Sequence, residues 1–510
     1  MRKLLKAMFS QLVIVSILLI LQVAVLFWFI FSLSDYVVYI DLALKLVSLI
    51  VVIFITNHHT NPMYKLAWVI PILLFPIIGG LFYLFITCQM HTKFFFARIK
   101  KISDELTSKY PQSKAVLSQI AQTHPEREST VRYINKTSGF NAYECFDSTY
   151  FATGEEKLAS LLTELEKAEK YIFLEYFILN DGVMWQSIFD ILKRKAAEGV
   201  DVRILYDGMG SMTLLPRSFP KEMKKHNIKC HVFSPFVPFL SATQNNRDHR
   251  KILVIDGKVA YTGGVNISDE YINKVYRFGH WKDMSVCIKG PAAFSFTLMF
   301  LEMWSVTTHK KEDTKQYEPS FGDELSSPKG YVMSYADVPQ DRYQIGKYIY
   351  LDIINKAKKY VHITTPYLIL DHEMVVALTN AALSGVDVRI ICPSVADHWY
   401  ARSVAYSYYK ELMEYGVKIY EYSPGFIHGK TFCSDDTVAV VGSINLDYRS
   451  LYLHFECAAW FLDCPTVLSV SDDFNRTLKK CRQITPTDCK KRSLIKKITS
   501  AILRMFAPLM

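Results

Sequence analysis

One pattern occurs twice and constrains this chain more than any other feature. HRKILVIDGKVAYTGGVN fills 249–266 and HGKTFCSDDTVAVVGSIN fills 428–445. His249, Lys251, Asp256, Gly263 and Asn266 in one copy match His428, Lys430, Asp435, Gly442 and Asn445 in the other at identical spacing. A single HxK is common noise; five matched points in two places are not. The flanks repeat as well. GVDVRI stands at 199–204 and at 385–390, each preceded by an apolar run, YIFLEY (171–176) or YVHITT (360–365). Apolar run, helical stretch and second run predict strand–helix–strand units, hence mixed or parallel sheets with covering helices. The expected fold class is α/β: two pseudo-symmetric halves, each a mixed sheet with flanking helices, facing each other across an approximate two-fold.

The repeat carries chemistry. A His and a Lys two residues apart on an extended segment point to one face. Two copies brought together supply two imidazoles, two ammonium groups and two amides around one pocket. That set suits a phosphodiester. Lys251, Lys430, Asn266 and Asn445 can hold the non-bridging oxygens and offset charge added in the transition state. One His can attack phosphorus and the other can protonate the leaving alcohol. No metal and no cofactor is required, because lysine supplies the positive charge. No GxxxxGK[ST] loop supports nucleotide binding. The imidazoles need orienting carboxylates. Asp256 and Asp435 belong to the motif and join the expected catalytic set with His249, Lys251, His428 and Lys430, although each lies well past its Lys, where it could hold a turn instead. Asp283 in HWKD and Glu456 in LHFE are the better candidates for orienting a His.

The N-terminus reads differently. Residues 12–31 follow a basic MRKLLK and are almost wholly apolar, enough to span ~30 Å of hydrocarbon at ~1.5 Å per residue. A second apolar run, 37–55, carries Asp41 and Lys45; a third, 65–87, is interrupted by Pro71, Pro76, Gly79 and Gly80. These runs predict an N-terminal α-helical, multi-pass membrane region. Lys93, Arg98, Lys100 and Lys101 follow it and place the globular part in the cytoplasm by the positive-inside rule. The net charge of +10 calls for an anionic partner. The apolar N-terminus selects acidic lipid, and no aromatic-interleaved basic groove supports nucleic acid. The ten cysteines show no CxxC and no zinc-ligand spacing, which fits idle thiols in a reducing compartment. A basic terminal segment with Leu494, Ile495, Ile498 and Ile502 near helical spacing reads as a helix lying on anionic lipid, or as an ordinary packed terminal helix.

These shifts divide the chain into a transmembrane segment (1–34), a membrane hairpin region (37–90), a connector (91–136), a first catalytic half (137–307), a polar linker (308–329), a second half (330–474) and a basic amphipathic tail (475–510).

The double HxKxxxxD with G[GS]xN resembles the phospholipase D superfamily. NNRDHRKILVIDGKVAYTGGVNISDEY, FLEYFILNDG, LYDGMGS, SINLDYRS and NPMYKLAWVIPILLFPIIGG are similar to its bacterial cardiolipin synthase branch. The resemblance runs from about residue 37 to the end. It implies two phospholipase-D-like domains in a cell-membrane enzyme, with phosphatidylglycerol and anionic membrane lipids as partners. One phosphatidylglycerol would phosphatidylate a His and release glycerol; a second would resolve the intermediate to cardiolipin. Carried over by position, His249 resembles the nucleophile and His428 the acid and base, although the sequence by itself does not order them. His454 stands where many relatives have Asn. A phospholipase D delivering the phosphatidyl group to water or another alcohol is the competing reading. Self-association as a homo-oligomer stays open.

Overall fold

The computed structural model describes residues 24, 27–28, 37–58, 61–75, 79–80, 83–84, 90–236, 242–322, 325–339 and 343–509. Contacts divide the chain into two compact units: 1–95 with 235–246 and 505–510, and 96–234 with 247–504. Both copies of the repeat lie in the second unit.

That unit holds two large sheets. The first has seven strands, in spatial order Asp147–Phe151, Ser285–Lys289, Val259–Gly263, Lys251–Ile255, Tyr171–Tyr176, Asp201–Asp207 and Lys229–Phe233. The second has nine: Ala142–Glu144, Tyr331–Asp337, Glu456–Leu462, Val438–Gly442, Thr431–Ser434, Tyr360–Thr364, Asp387–Pro393, Lys418–Tyr422 and Cys481–Gln483. Seven strands correspond in order, so the sequence repeat is a structural repeat. In each sheet the apolar run, the GVDVRI strand and the next strand run parallel. The strand that follows the HxK joins them antiparallel.

The central strands are buried on both faces, which is why they read as continuous apolar runs rather than alternating ones. Leu174 sits between Leu253 and Ile204 in register. Helices Gly154–Leu165 and Val183–Ala197 cover one face with Leu161, Leu165, Trp185, Ile188 and Leu192. On the other, Phe300 of helix Phe294–Thr308 stacks on Phe173 with ring centroids 4.5 Å apart. That helix is buried nearly all round, which explains its uniformly apolar sequence. Truncating a core side chain such as Leu174 to Ala is expected to cost about 2–5 kcal/mol.

The chain crosses between the halves early. Ala142–Glu144 pairs with Tyr331–Asp337 in the second sheet, and Asp147–Phe151 pairs with Ser285–Lys289 in the first. The polar stretch 308–329 is not a free tether: Thr314 and Tyr317 are buried, and the Tyr317 carbonyl accepts from the Tyr171 hydroxyl at 3.0 Å. Part of the basic tail is also structural, since Cys481–Gln483 extends the second sheet. Beyond it, helix Leu494–Met505 exposes Leu494, Ile495, Ile498 and Ile502.

In the first unit, helices Val37–Asn57 and Pro62–Leu74 pack through Val51, Ile55 and Ile72. Asn61 caps the second helix by accepting from the Met63 amide at 2.9 Å, with Pro62 opening it. Leu46, Ile50, Ile53, Phe54, Leu73 and Leu74 are exposed. Among the described residues, no helix is long and apolar enough to cross a membrane. Most of the apolar run 12–31 lies outside the described residues.

Candidate active site

Each HxK begins in an extended lead-in rather than within a strand, since the strands start at Lys251 and Thr431. Neighbouring segments hold these lead-ins. Arg247 pairs with buried Asp207 at 2.9 Å, and the Asp248 amide donates to the same carboxylate at 3.0 Å. The His249 amide donates to the Phe455 carbonyl at 2.9 Å, and the His428 amide to the Lys282 carbonyl at 2.7 Å. Phe455 and Lys282 each precede a carboxylate, and each belongs to the opposite half of the repeat.

The carboxylates cross over in the same way. His249 Nδ1 lies 2.8 Å from Glu456 Oε1 and 3.0 Å from Oε2. His428 Nδ1 lies 2.6 Å from Asp283 Oδ2. Both carboxylates are fully buried. A carboxylate at Nδ1 fixes the tautomer with its proton there and its lone pair on Nε2. Each half therefore orients the imidazole of the other, and neither half-site is complete alone.

Lys251 and Lys430 are buried, and each ammonium donates to the carbonyl of its own motif His. Lys251 also lies over the Phe177 ring, 5.5 Å from its centroid. Lys430 Nζ is 2.8 Å from His428 Nδ1. Asp283 Oδ2 is the closer partner of that nitrogen, at 2.6 Å. Burial pushes Lys251 down to about 7 and Lys430 down to about 8, with Asp283 and Glu456 opposing it. Burial, then both lysines, hold His249 well below the ordinary imidazole range. Burial, then Lys430, pushes His428 down to about 4. Burial raises Glu456 to about 7. Each imidazole feels the lysine of the other half, so the two half-sites form one electrostatic unit.

The other expected residues fall in different places. Asp256 does not reach an imidazole: its carboxylate accepts the amides of Glu169, Lys170 and Tyr171 at 2.7–2.8 Å. Asp435 does the same for Lys358, Lys359 and Tyr360 at 2.7–2.9 Å. The expectation that they act in catalysis is corrected on this geometry. Both lie past the strand that follows the Lys and cap the start of the neighbouring strand. Both adopt positive φ (53° and 57°), which Asp tolerates better than most residues. Asn266 is tied down, accepting from the Ile178 amide at 3.0 Å and donating to the Tyr271 hydroxyl at 2.7 Å. The side-chain carbonyl of the buried Asn445 has no hydrogen-bond partner among the described residues.

Sequence reasoning missed two contributors. The Ser443 hydroxyl donates to Glu456 Oε2. At the matching position Gly264 leaves room for Asp283, whose Oδ1 would lie 2.0 Å from an added Cβ. The one signal was the Gly-Gly against Gly-Ser difference between the copies. His454 was noted only as a departure. Its ring lies 5.4 Å from that of His249.

The site holds two imidazoles, each oriented by a carboxylate of the other half, and two buried lysines, a set suited to an anionic phosphodiester. Family comparison agrees with this chemistry. A family described as cardiolipin synthase, PLD-like domain, matches 161–295 and 350–478, and a phospholipase D-nuclease N-terminal family matches 43–86. The chain is 35% identical to the cardiolipin synthase of Alkalihalophilus pseudofirmus over 92% of each chain. It is 33% identical to cardiolipin synthase 2 of Bacillus cereus over 90% of this chain and 89% of the relative. This chain belongs to the cardiolipin synthase family. It is thereby an enzyme, a phosphatidyltransferase of the phospholipase D type. The fold is also that of a phosphatidylserine synthase from Haemophilus influenzae, with a TM-score of 0.57 at 14% identity over 76% of this chain and 98% of the other.

Proposed function

We propose that the enzyme converts two phosphatidylglycerol molecules to cardiolipin and glycerol through a phosphatidyl-histidine. The crossed pairs His249–Glu456 and His428–Asp283 carry this reading, because they give two differently placed imidazoles the same fixed tautomer. His249 Nε2 attacks phosphorus of the first lipid. A P–N bond forms, the P–O bond to the glycerol headgroup breaks, and that oxygen takes a proton from His428 Nε2. The bound phosphodiester is anionic, which opposes the depression of His428 and favours its protonated form. Lys251, Lys430 and Asn445 hold the non-bridging oxygens and offset their added charge. A headgroup hydroxyl of the second phosphatidylglycerol then attacks phosphorus. His428 accepts its proton, and the P–N bond breaks to return neutral His249.

The exposed apolar side chains of helices Val37–Asn57 and Pro62–Leu74 support attachment of the enzyme to the cell membrane, with the catalytic halves on the cytoplasmic side. Helix Leu494–Met505, with Lys496 and Lys497 beside its apolar face, supports contact with anionic lipid.

Mass spectrometry of products from purified enzyme and phosphatidylglycerol vesicles tests the reaction. Cardiolipin and glycerol in equal amounts are expected. Phosphatidic acid as the main product would replace synthesis with hydrolysis.

A further inference from the structure

The two half-sites differ at one matched position beside the imidazoles. Trp281 of HWKD packs against His428 with ring centroids 5.6 Å apart. The corresponding residue of LHFE is His454, packed against His249 at 5.4 Å. An aromatic ring without a basic nitrogen is therefore sufficient packing in one half. In the other, an imidazole stands at the same place with its side chain nine-tenths buried. Neither of its ring nitrogens has a hydrogen-bond partner among the described residues. Burying polar atoms unpaired costs about 1–3 kcal/mol each, so packing alone does not account for this residue.

One of the two nitrogens faces a carboxylate. His454 Nδ1 lies 3.8 Å from Glu456 Oε1, the same oxygen that lies 2.8 Å from His249 Nδ1. One donor atom from each of His249, His454 and Glu456 lies within 4.8 Å of the other two. Tetrahedral zinc, with bonds of about 2.0–2.2 Å to nitrogen and oxygen, places neighbouring donors about 3.3 Å apart, between the two measured separations. Two imidazoles and a carboxylate form a donor set suited to zinc or cobalt rather than to calcium or magnesium.

We propose that His249, His454 and Glu456 form an inhibitory site for a divalent transition metal such as zinc. Coordination through Nδ1 of His249 would replace its proton bond to Glu456. The single proton of the neutral ring would then sit on Nε2, and the nitrogen that attacks phosphorus would have no lone pair. Metal binding stands on the geometry; inhibition rests on His249 being the nucleophile of the reaction proposed above.

Cobalt is the direct probe, because its visible absorption reports ligand number and type without turnover. Full-length enzyme in detergent is expected to develop a tetrahedral cobalt band that zinc displaces. His454→Asn should weaken cobalt binding by at least about 100-fold, since even outer-shell partners of a metal cost 10–100-fold. Cardiolipin formation by the unmodified enzyme should be inhibited by micromolar zinc and restored by EDTA, and His454→Asn should remain active and resist zinc. No cobalt band in the unmodified enzyme, or a band unchanged in His454→Asn, overturns the site whatever the reaction proves to be. A His454-dependent band with undiminished synthesis overturns the inhibitory role and counts against His249 as the nucleophile.

Discussion

The half-site around His249 and the half-site around His428 share a plan and differ in their fillings. In both, an imidazole amide is held by a carbonyl from the opposite half, and Nδ1 meets a carboxylate one residue further on. The residue between His and Lys differs. Arg250 is buried, with its guanidinium 3.8 Å from Glu175 and 3.9 Å from Glu302. Its counterpart Gly429 has no room for a side chain, since Met284 Sδ would lie 1.8 Å from an added Cβ. Glu456 receives a hydroxyl from Ser443, and Asp283 fills the space that Gly264 leaves. His454 flanks one imidazole and Trp281 the other. The shared plan explains why two copies are needed for one site. The different fillings give two chemically identical imidazoles the means to take separate roles.

The crossing of the carboxylates is open to the sharpest attack. Glu456→Gln and Asp283→Asn should each lower kcat by about 10²–10⁴-fold, the range for losing an oriented catalytic imidazole. Nitrogen NMR of the histidine rings assigns the loss. Glu456→Gln is expected to shift the Nδ1 proton of His249 and leave that of His428 in place, and Asp283→Asn to do the converse. The opposite assignment would mean that each half orients its own histidine.

The lysines give a second contrast, in pH. Their pKa values are lowered to about 7 for Lys251 and about 8 for Lys430, so positive charge is lost as pH rises through that window. kcat/KM, which needs both charges, is expected to fall steeply on the alkaline side there, by about 10³-fold one unit above the upper value. Lys251→Arg, which keeps its charge, should move the alkaline limb upward, toward the value of Lys430. The nucleophile must be neutral, and burial with the two lysines holds His249 well below the ordinary imidazole range, so the acid limb should lie below that range. An alkaline limb unmoved by Lys251→Arg would remove Lys251 from the charged set.

The smallest expected effect on rate belongs to the motif aspartates. Asp256→Asn and Asp435→Asn each disturb a carboxylate that accepts three amides. Each should cost about 1–3 kcal/mol of stability, read as a lower denaturant midpoint, with kcat/KM close to that of the unmodified enzyme. A large loss of rate without loss of stability would return them to the chemistry.

Much of this was legible in the sequence. The repeated spacing marked His249, Lys251, His428 and Lys430, and GVDVRI marked equivalent strands. HWKD and LHFE marked the orienting carboxylates. Which carboxylate serves which histidine was not legible, because it depends on how two distant halves dock and not on local pattern. That Asp256 could hold a turn was legible, but its partners Glu169, Lys170 and Tyr171 were not, because they are remote in sequence. The contribution of 481–483 to a sheet edge was masked by a composition that reads as a basic tail.

The central claim is that the paired half-sites divide the labour, His249 attacking phosphorus and His428 moving protons. A phosphatidyl ester of p-nitrophenol tests it directly, because its leaving group needs no proton while breakdown of the intermediate still needs a base. In His428→Ala, mass spectrometry of digested enzyme should find the phosphatidyl group trapped on the peptide bearing His249. Its appearance on His428 in His249→Ala, with none on His249 in His428→Ala, would contradict the account.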